Sequence, residues 1–225
     1  MVPISADRIE DLPALRGLFD FPVAACGCAI PLTGARHHPA EAVLVAGAAE
    51  RRRDEFLAGR ACARSCLDAL GYGDAPVLRG ERGMPIWPQG AIGSISHSGT
   101  IAMAVVAANV TARSIGIDVE QRRAVTDELQ DLLFRTEERE RLALLPQDER
   151  RAAATLMFSA KEAFYKAQFP IGRAFVDYRE VAVETSESGF AVTTCIDIEG
   201  LGRSGTRFDG RWFAADGHVV TAIAL

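Results

Sequence analysis

Three short segments bring together side chains able to do acid–base or phosphate chemistry. In SIGIDVE, residues 114–120, a buried-looking strand sets Asp118 and Glu120 two positions apart. Residues i and i+2 of a strand share a face, so the two carboxylates project side by side and Val119 points the other way. Like charges that close repel, and burial sharpens the repulsion. A divalent cation resolves it. Hard oxygen donors favour Mg2+ or Mn2+, which take one or two carboxylates together with water and substrate phosphate. A solvated strand end, with Arg122 and Arg123 as counter-ions, is the structural alternative.

The second segment is FSAKEAFYKAQF, residues 158–169. Glu162 and Lys166 lie four apart and share a helix face, with Phe158, Phe164, Tyr165 and Phe169 as packing around them. They form either an ordinary surface ion pair or a base and a phosphate-holding cation. The third is GSISHSG, residues 93–99, where a strand ends in Ser96, His97 and Ser98 between glycines. It lacks the G-x-S-x-G nucleophile elbow. Hydroxyls, backbone N–H groups and an imidazole suit phosphate; a plain hairpin turn is the alternative.

An arginine-rich stretch accompanies them. Arg51, Arg52, Arg53, Arg60 and Arg64 fall on one expected helix, and Arg79 and Arg82 follow in the next loop. Guanidinium groups bind phosphate in a two-pronged way, so this concentration suggests an anionic ligand, against a solvated helix face as the bland account. Neither G-x-x-x-x-G-K-[ST] nor a helix-opening G-x-G-x-x-G is present, which disfavours P-loop and dinucleotide folds.

The elements that must position these groups are legible in the pattern. Asp7–Phe19 reads as a short helix interrupted by Pro13, and FPVAACGCAI as a strand. Apolar spacing predicts a long helix over about Ala46–Leu70, ended by Gly71 and Gly73. APVLRGERGMPIWP reads as two short strands around a turn, and GSISH and TIAMAVVAA as strands. After RSIGIDVE come DELQDLLF and TEERERLALL, both helical, with Thr136 as N-cap of the second. Asp148 caps a long helix to about Gln168, followed by Pro170 and Gly172. Four alternating strands close the chain. Each half thus has one long helix and several strands, which predicts two α+β halves, 1–111 and 112–225.

Composition bounds the rest. A chain of 225 residues with 48% hydrophobic and 24% charged residues can bury a sizeable core. A net charge of −5 gives no reason to expect nucleic-acid binding without a local basic patch. The first residues lack a basic n-region and an apolar h-region, and no apolar run approaches the ~18–20 residues of a membrane span, so a cytoplasmic protein is expected. Five cysteines, an odd number, argue against a disulfide framework, and Cys62 with Cys66 read as buried small residues rather than zinc ligands.

Taken together, RRRDEFLAGRACAR, LRGERGMPIWP, GSISHS, GIDVE and FSAKEAFYKAQFP resemble the Sfp-type 4′-phosphopantetheinyl transferases, in particular the actinobacterial and enterobactin-type subgroup. The likeness runs from about Arg51 to Pro170 and more loosely to the C-terminal VVTAIAL. It implies two pseudo-symmetric halves in a monomer with coenzyme A and Mg2+ (or Mn2+) in the cleft between them. It also implies transfer of the phosphopantetheine arm to a serine of acyl carrier, peptidyl carrier or polyketide-synthase carrier domains, with release of 3′,5′-ADP. By the resemblance, Asp118, Glu120 and Glu162 match the metal acids, and Val119 borders the metal through its backbone. Glu162 is the base for the carrier serine. Lys166 contacts phosphate, with Lys161 as a neighbouring contact. Ser96 and His97 match coenzyme A phosphate contacts. Arg52, Arg60 and Arg79 surround the nucleotide, with Gly80, Glu81 and Arg82 beside the adenine. Phe175 stands where related sequences carry a Trp along the pantetheine arm. The rival readings are a non-catalytic coenzyme A or carrier-protein binding module and a different Mg2+-dependent phosphohydrolase.

Overall fold

A computed structural model describes residues 7–34, 36–122 and 124–225. Arg123, one of the expected counter-ions, lies outside them. The chain divides into two compact units between Ile115 and Gly116.

In chain order the first unit runs β1 (Glu10–Asp11), α1 (Pro13–Arg16), β2 (Ala24–Ala29), α2 (Pro39–Ala42), α3 (Glu50–Ala69), β3 (Leu78–Arg79), β4 (Pro85–Ile86), β5 (Ala91–Ser98) and β6 (Ile101–Ala108). Four strands form one antiparallel sheet in the order β1-β2-β6-β5, and β3 and β4 make a separate hairpin. The apolar run IAMAVVAA becomes β6, second from one edge and buried along nearly its whole length. Helix α3 packs on β2, β5 and β6. Its sheet-facing residues are small (Ala58, Ala61, Cys62, Ala63, Cys66), which lets the helix lie close to the strands.

The second unit carries β7 (Ile115–Gln121), α4 (Asp127–Leu133), α5 (Thr136–Ala143), α6 (Gln147–Gly172), β8 (Val181–Thr185), β9 (Gly189–Thr194), β10 (Arg207–Ala215) and β11 (His218–Ala224). Its sheet has the order β7-β11-β10-β9-β8. Helix α6 packs on β8, β9 and β11. Phe134, Leu142, Phe164, Val183, Val192 and Ile223 form the core between helices and sheet. Burying each large apolar side chain contributes roughly 1.5–3 kcal/mol.

Several expectations are corrected. Residues 7–19 are not one helix. Glu10 and Asp11 pair with Gly27 and Cys26, and the helix starts at Pro13, whose missing N–H suits a first position and not an interior one. Arg135, not Thr136, is the N-cap of α5; its N–H donates to Glu138 Oε2 at 2.9 Å. Pro146, not Asp148, precedes α6, leaving Asp148 in the first turn, where a carboxylate favours the helix dipole. Pro170 does not follow α6 but lies inside it. Pro170 lies in the last turn of the helix, where it forfeits one N–H, beside the buried Phe169. Arg173, in the left-handed region at φ 50°, then ends the helix with its N–H donating to Phe169 O. Among the described residues, no helix is long and apolar enough to cross a membrane.

Candidate active site

The geometry of β7 follows from one glycine. Gly116, Asp118 and Glu120 share one face of the strand; Ile115, Ile117 and Val119 share the other. A Cβ on Gly116 would fall 1.9 Å from Ala163 O and 2.8 Å from Ala167 N. Helix α6 therefore lies against the acidic face, at a distance only glycine permits. Asp118 is consequently buried, at 3% exposure. A lone carboxylate there would be costly, and Lys166 offsets that cost by placing its Nζ 2.7 Å from Asp118 Oδ1. Glu120 is half-buried nearer the strand end, and the Val119 side chain is buried on the opposite face.

Glu162 stands one turn before Lys166 on α6, half-buried. The hydroxyl of Tyr178 donates a short hydrogen bond to Glu162 Oε1. Burial, and then the Glu162 charge, push the Tyr178 phenol above its ordinary range, so it stays protonated and remains a donor. Its ring leans on Phe158 with centroids 5.6 Å apart. The sequence reading did not single out Tyr178: it lies 16 residues from Glu162, beyond the end of the helix, and no local periodicity links the two.

Lys161 directly precedes Glu162. Its side chain is 1% exposed, and its three N–H donors are shared among four acceptors: Glu138 Oε2 at 2.7 Å, Tyr178 O at 2.7 Å, Leu133 O at 3.1 Å and Val181 O at 3.2 Å. Desolvation lowers its pKa and Glu138 opposes that shift. Its donors hold Leu133, Tyr178 and Val181 around Glu138, which gives it a structural place beside its expected one as a phosphate contact. Neighbours on a helix point about 100° apart, so Lys161, buried, and Glu162, half-buried, border one pocket from different directions. That pocket is lined by Glu162, Tyr165, Phe175, Val176 and Tyr178, among others. Phe175 is 60% exposed and edge-on to Tyr165, which itself stacks on Phe169: an apolar wall beside an acid.

The first unit holds a basic pocket lined by Arg52, Glu55, Phe56, Arg79, Gly83 and His97, among others. Arg52 Nη1 lies 2.9 Å from His97 Nε2. With Arg52 as donor, Nε2 is the bare nitrogen, and the Nδ1 proton faces Glu55, 3.9 Å away. Glu55, absent from the sequence reading, also accepts from Arg51 and Arg52. Desolvation raises its pKa, but the hydrogen bonds from Arg51 and Arg52 outweigh it and hold Glu55 below the usual range.

Arg60 also lines this pocket, yet it is 5% exposed. Its Nε donates to Val77 O at 2.7 Å, and it sits over the Phe56 ring at 4.3 Å. Desolvation brings its pKa down to about 10. It braces β3, the strand that carries Arg79, more than it presents charge. Ser96 does not line the pocket: strand alternation turns it to the face of β5 opposite Ile95 and His97. Gly80, Glu81 and Arg82 form the turn between β3 and β4, closed by Gly80 N to Met84 O at 2.8 Å, and flank the pocket without walling it.

For a cation, the donor set is mixed. Asp118 and Glu120, two hard carboxylates on one strand face, fit an ion of the Mg2+ type that completes its shell with water and phosphate. Among the described residues no three His, Cys, Asp or Glu side chains are gathered as a metal cluster. Of the expected set, Asp118 and Glu120 share one face of β7 with Val119 between them, and Glu162 stands on α6 with Oε1 accepting from Tyr178.

Comparison with known proteins places these features. Residues 40–107 match the family model of the 4′-phosphopantetheinyl transferase N-terminal domain, and residues 114–223 match that of the 4′-phosphopantetheinyl transferase superfamily. The chain is 36% identical to the 4′-phosphopantetheinyl transferase Npt of Nocardia iowensis, over 83% of this chain and 88% of the relative. It is 37% identical to PptT of Mycobacterium tuberculosis, over 83% and 85%. Enterobactin synthase component D of Escherichia coli is 40% identical over 60% and 64%. The solved holo-[acyl-carrier-protein] synthase of Thermotoga maritima is similar over 49% of this chain and 61% of its own, at 21% identity and a TM-score of 0.39.

Proposed function

The chain belongs to the 4′-phosphopantetheinyl transferase superfamily, and from that membership we propose how its residues divide the reaction. The enzyme transfers the phosphopantetheine group of coenzyme A to carrier proteins. The observation that carries the residue assignment is Glu162 and Lys166 one turn apart on α6, with Lys166 Nζ 2.7 Å from Asp118. Phosphoryl transfer asks a protein for positioning and for neutralised oxygens more than for covalent chemistry.

Glu162 takes the proton from the attacking carrier serine, and Tyr178 holds that carboxylate in place. Lys166 supplies positive charge to the departing 3′,5′-ADP. Asp118 and Glu120 would hold a Mg2+-type ion, which would supply charge to neutralise pyrophosphate oxygens. Phe175 and Tyr165 give the pantetheine arm an apolar wall. Arg52, Arg79 and His97 bind phosphate of coenzyme A, turning binding into orientation. Acyl, peptidyl and polyketide-synthase carrier domains are the partners, met in the cytoplasm by a monomer.

Incubation of the enzyme with coenzyme A, Mg2+ and an apo-carrier tests this reading by mass spectrometry of the carrier. Glu162→Gln is expected to slow the modification by about 10²–10⁴-fold with the fold retained. Modification at the wild-type rate would remove Glu162 from the chemistry. Coenzyme A binding with no modification of any carrier would favour a binding module instead.

A further inference from the structure

Glu41, on the short helix α2, is completely buried at 0% exposure. A carboxylate withdrawn from water is tolerated only with a cation and hydrogen-bond donors around it. Both are present. Arg64 of α3 pairs its Nη1 with Glu41 Oε2, and its Nη2 donates to Arg36 O at 2.7 Å. The other oxygen, Glu41 Oε1, accepts from the backbone N–H of Val77 at 2.8 Å. The carbonyl of the same residue accepts from Arg60 Nε, also on α3, at 2.7 Å. Val77 is thus gripped at both of its backbone groups by charged side chains of α2 and α3.

Val77 directly precedes β3, which consists of Leu78 and Arg79. Its side chain is completely buried, whereas those two residues are exposed. Among the described residues β3 pairs with β4 alone, so it takes no direction from the four-stranded sheet. Arg79 lines the basic pocket together with Arg52 and His97. An extended chain advances about 3.3 Å per residue, which puts the anchored Val77 roughly 7 Å from Arg79 along the backbone. The second unit uses the same construction. Glu138 is also completely buried, pairs with Lys161 of the long helix, and accepts from the Val183 N–H at 2.7 Å. Lys161 in turn donates to the carbonyl of Tyr178, whose hydroxyl meets Glu162. In each unit a buried glutamate and cations of the long helix hold the backbone that carries a pocket side chain.

We propose that Glu41 is a positioning residue for the reaction: with Arg60 it fixes Val77, and through Val77 it aims Arg79 at a phosphate of coenzyme A. This role presupposes that the pocket of Arg52, Arg79 and His97 binds that phosphate. A carboxylate suits the task because its two oxygens serve two donors at once, the Arg64 guanidinium and the Val77 N–H. A glutamine in its place has one oxygen, so one of those donors loses its acceptor. An aspartate keeps the charge opposite Arg64 but is one methylene too short to reach both. Either change slackens the start of β3 without touching the ligand.

Calorimetric titration of coenzyme A into the intact protein tests this, using wild type, Glu41→Gln, Glu41→Asp, Arg79→Ala and the two double variants, each well below its own melting temperature. Arg79→Ala is expected to weaken binding about tenfold, the loss of one charge-assisted contact. Each Glu41 variant alone is expected to weaken it about threefold to tenfold, and to add less than about twofold to Arg79→Ala, because the contact it misplaces is then already gone. At saturating coenzyme A the rate of carrier modification should stay within about twofold of wild type, so that the effect falls on KM and not on kcat. Asp74→Asn, which removes the exposed partner of the same Arg64, should leave the affinity unchanged. Should Glu41→Gln fail to fold, Glu41→Asp, which keeps the buried charge pair, decides. A role confined to stability would lower the melting temperature with coenzyme A affinity unchanged, or would weaken binding by the same factor with and without Arg79; either result overturns the proposal. Hydrogen exchange read by mass spectrometry supplies a second measure: the segment Val77–Arg79 should exchange faster in both Glu41 variants, and unchanged protection there would also overturn it. Wild type that does not bind coenzyme A would overturn the reading of the pocket and the proposal with it, whereas wild type and Glu41 variants that bind equally well would overturn the proposal alone.

Discussion

Lys166 on α6 places its ammonium 2.7 Å from Asp118 Oδ1 on β7, across 48 residues of sequence. The Asp118 side chain is 4% exposed and that of Lys166 27%, so this cation compensates a nearly buried carboxylate. A Mg2+ ion held at Asp118 and Glu120, as proposed, would add to that compensation and stabilise the folded state by mass action. Millimolar MgCl2 is expected to raise the melting temperature of the wild type, and Asp118→Ala is expected to abolish the rise. An equal rise in the variant would dissociate the metal from this strand.

Gly116→Ala places a methyl group 1.9 Å from Ala163 O. Strand and helix backbone must separate, at a cost of about 3 kcal/mol or more, and the separation carries Asp118 away from Lys166. Calorimetry should show the loss of stability, and carrier modification should fall with it. A fully active and equally stable variant would mean that α6 and β7 have slack the structure does not display.

Lys161→Met removes the cation from a pair whose two side chains are each 1% exposed. Glu138 is left buried and uncompensated, a change that costs about 3–5 kcal/mol. The coenzyme A KM of the folded fraction should stay within about twofold of wild type, estimated on the basis that Lys161 makes no uniform binding contribution. Retained stability with a much weaker coenzyme A affinity would return Lys161 to the role of a phosphate contact.

Arg52→Ala is expected to raise the coenzyme A KM about tenfold with little change in kcat, as the loss of a charge-assisted contact made equally in ground and transition states. Ser96→Ala, on the other face of β5, should leave KM near wild type. Steady-state kinetics on the pair checks both; a larger effect from Ser96 than from Arg52 would reverse the assignment of that strand's faces.

The sequence by itself determined much of this protein. Alternation along residues 114–120 put Asp118 and Glu120 on one face, and helical spacing did the same for Glu162 and Lys166, because these are properties of the repeat and need no tertiary contact. The long helices, the hairpin around Gly80 and the two α+β halves were legible for the same reason. Tertiary structure decided which neighbour of Glu162 turns inward. Lys161 and Glu162 are adjacent charged residues on one helix, and only the place where Glu138, Leu133, Tyr178 and Val181 offer acceptors marks Lys161 as structural. Tyr178 reaches Glu162, and Glu55 reaches His97, through contacts whose partners are far apart in the chain. The same holds for Ser96 and His97, where alternation separates neighbours but only the packed helix shows which face lines the pocket. A repeat fixes direction relative to its own axis. What lies in that direction depends on elements elsewhere in the chain, and that only the folded protein supplies.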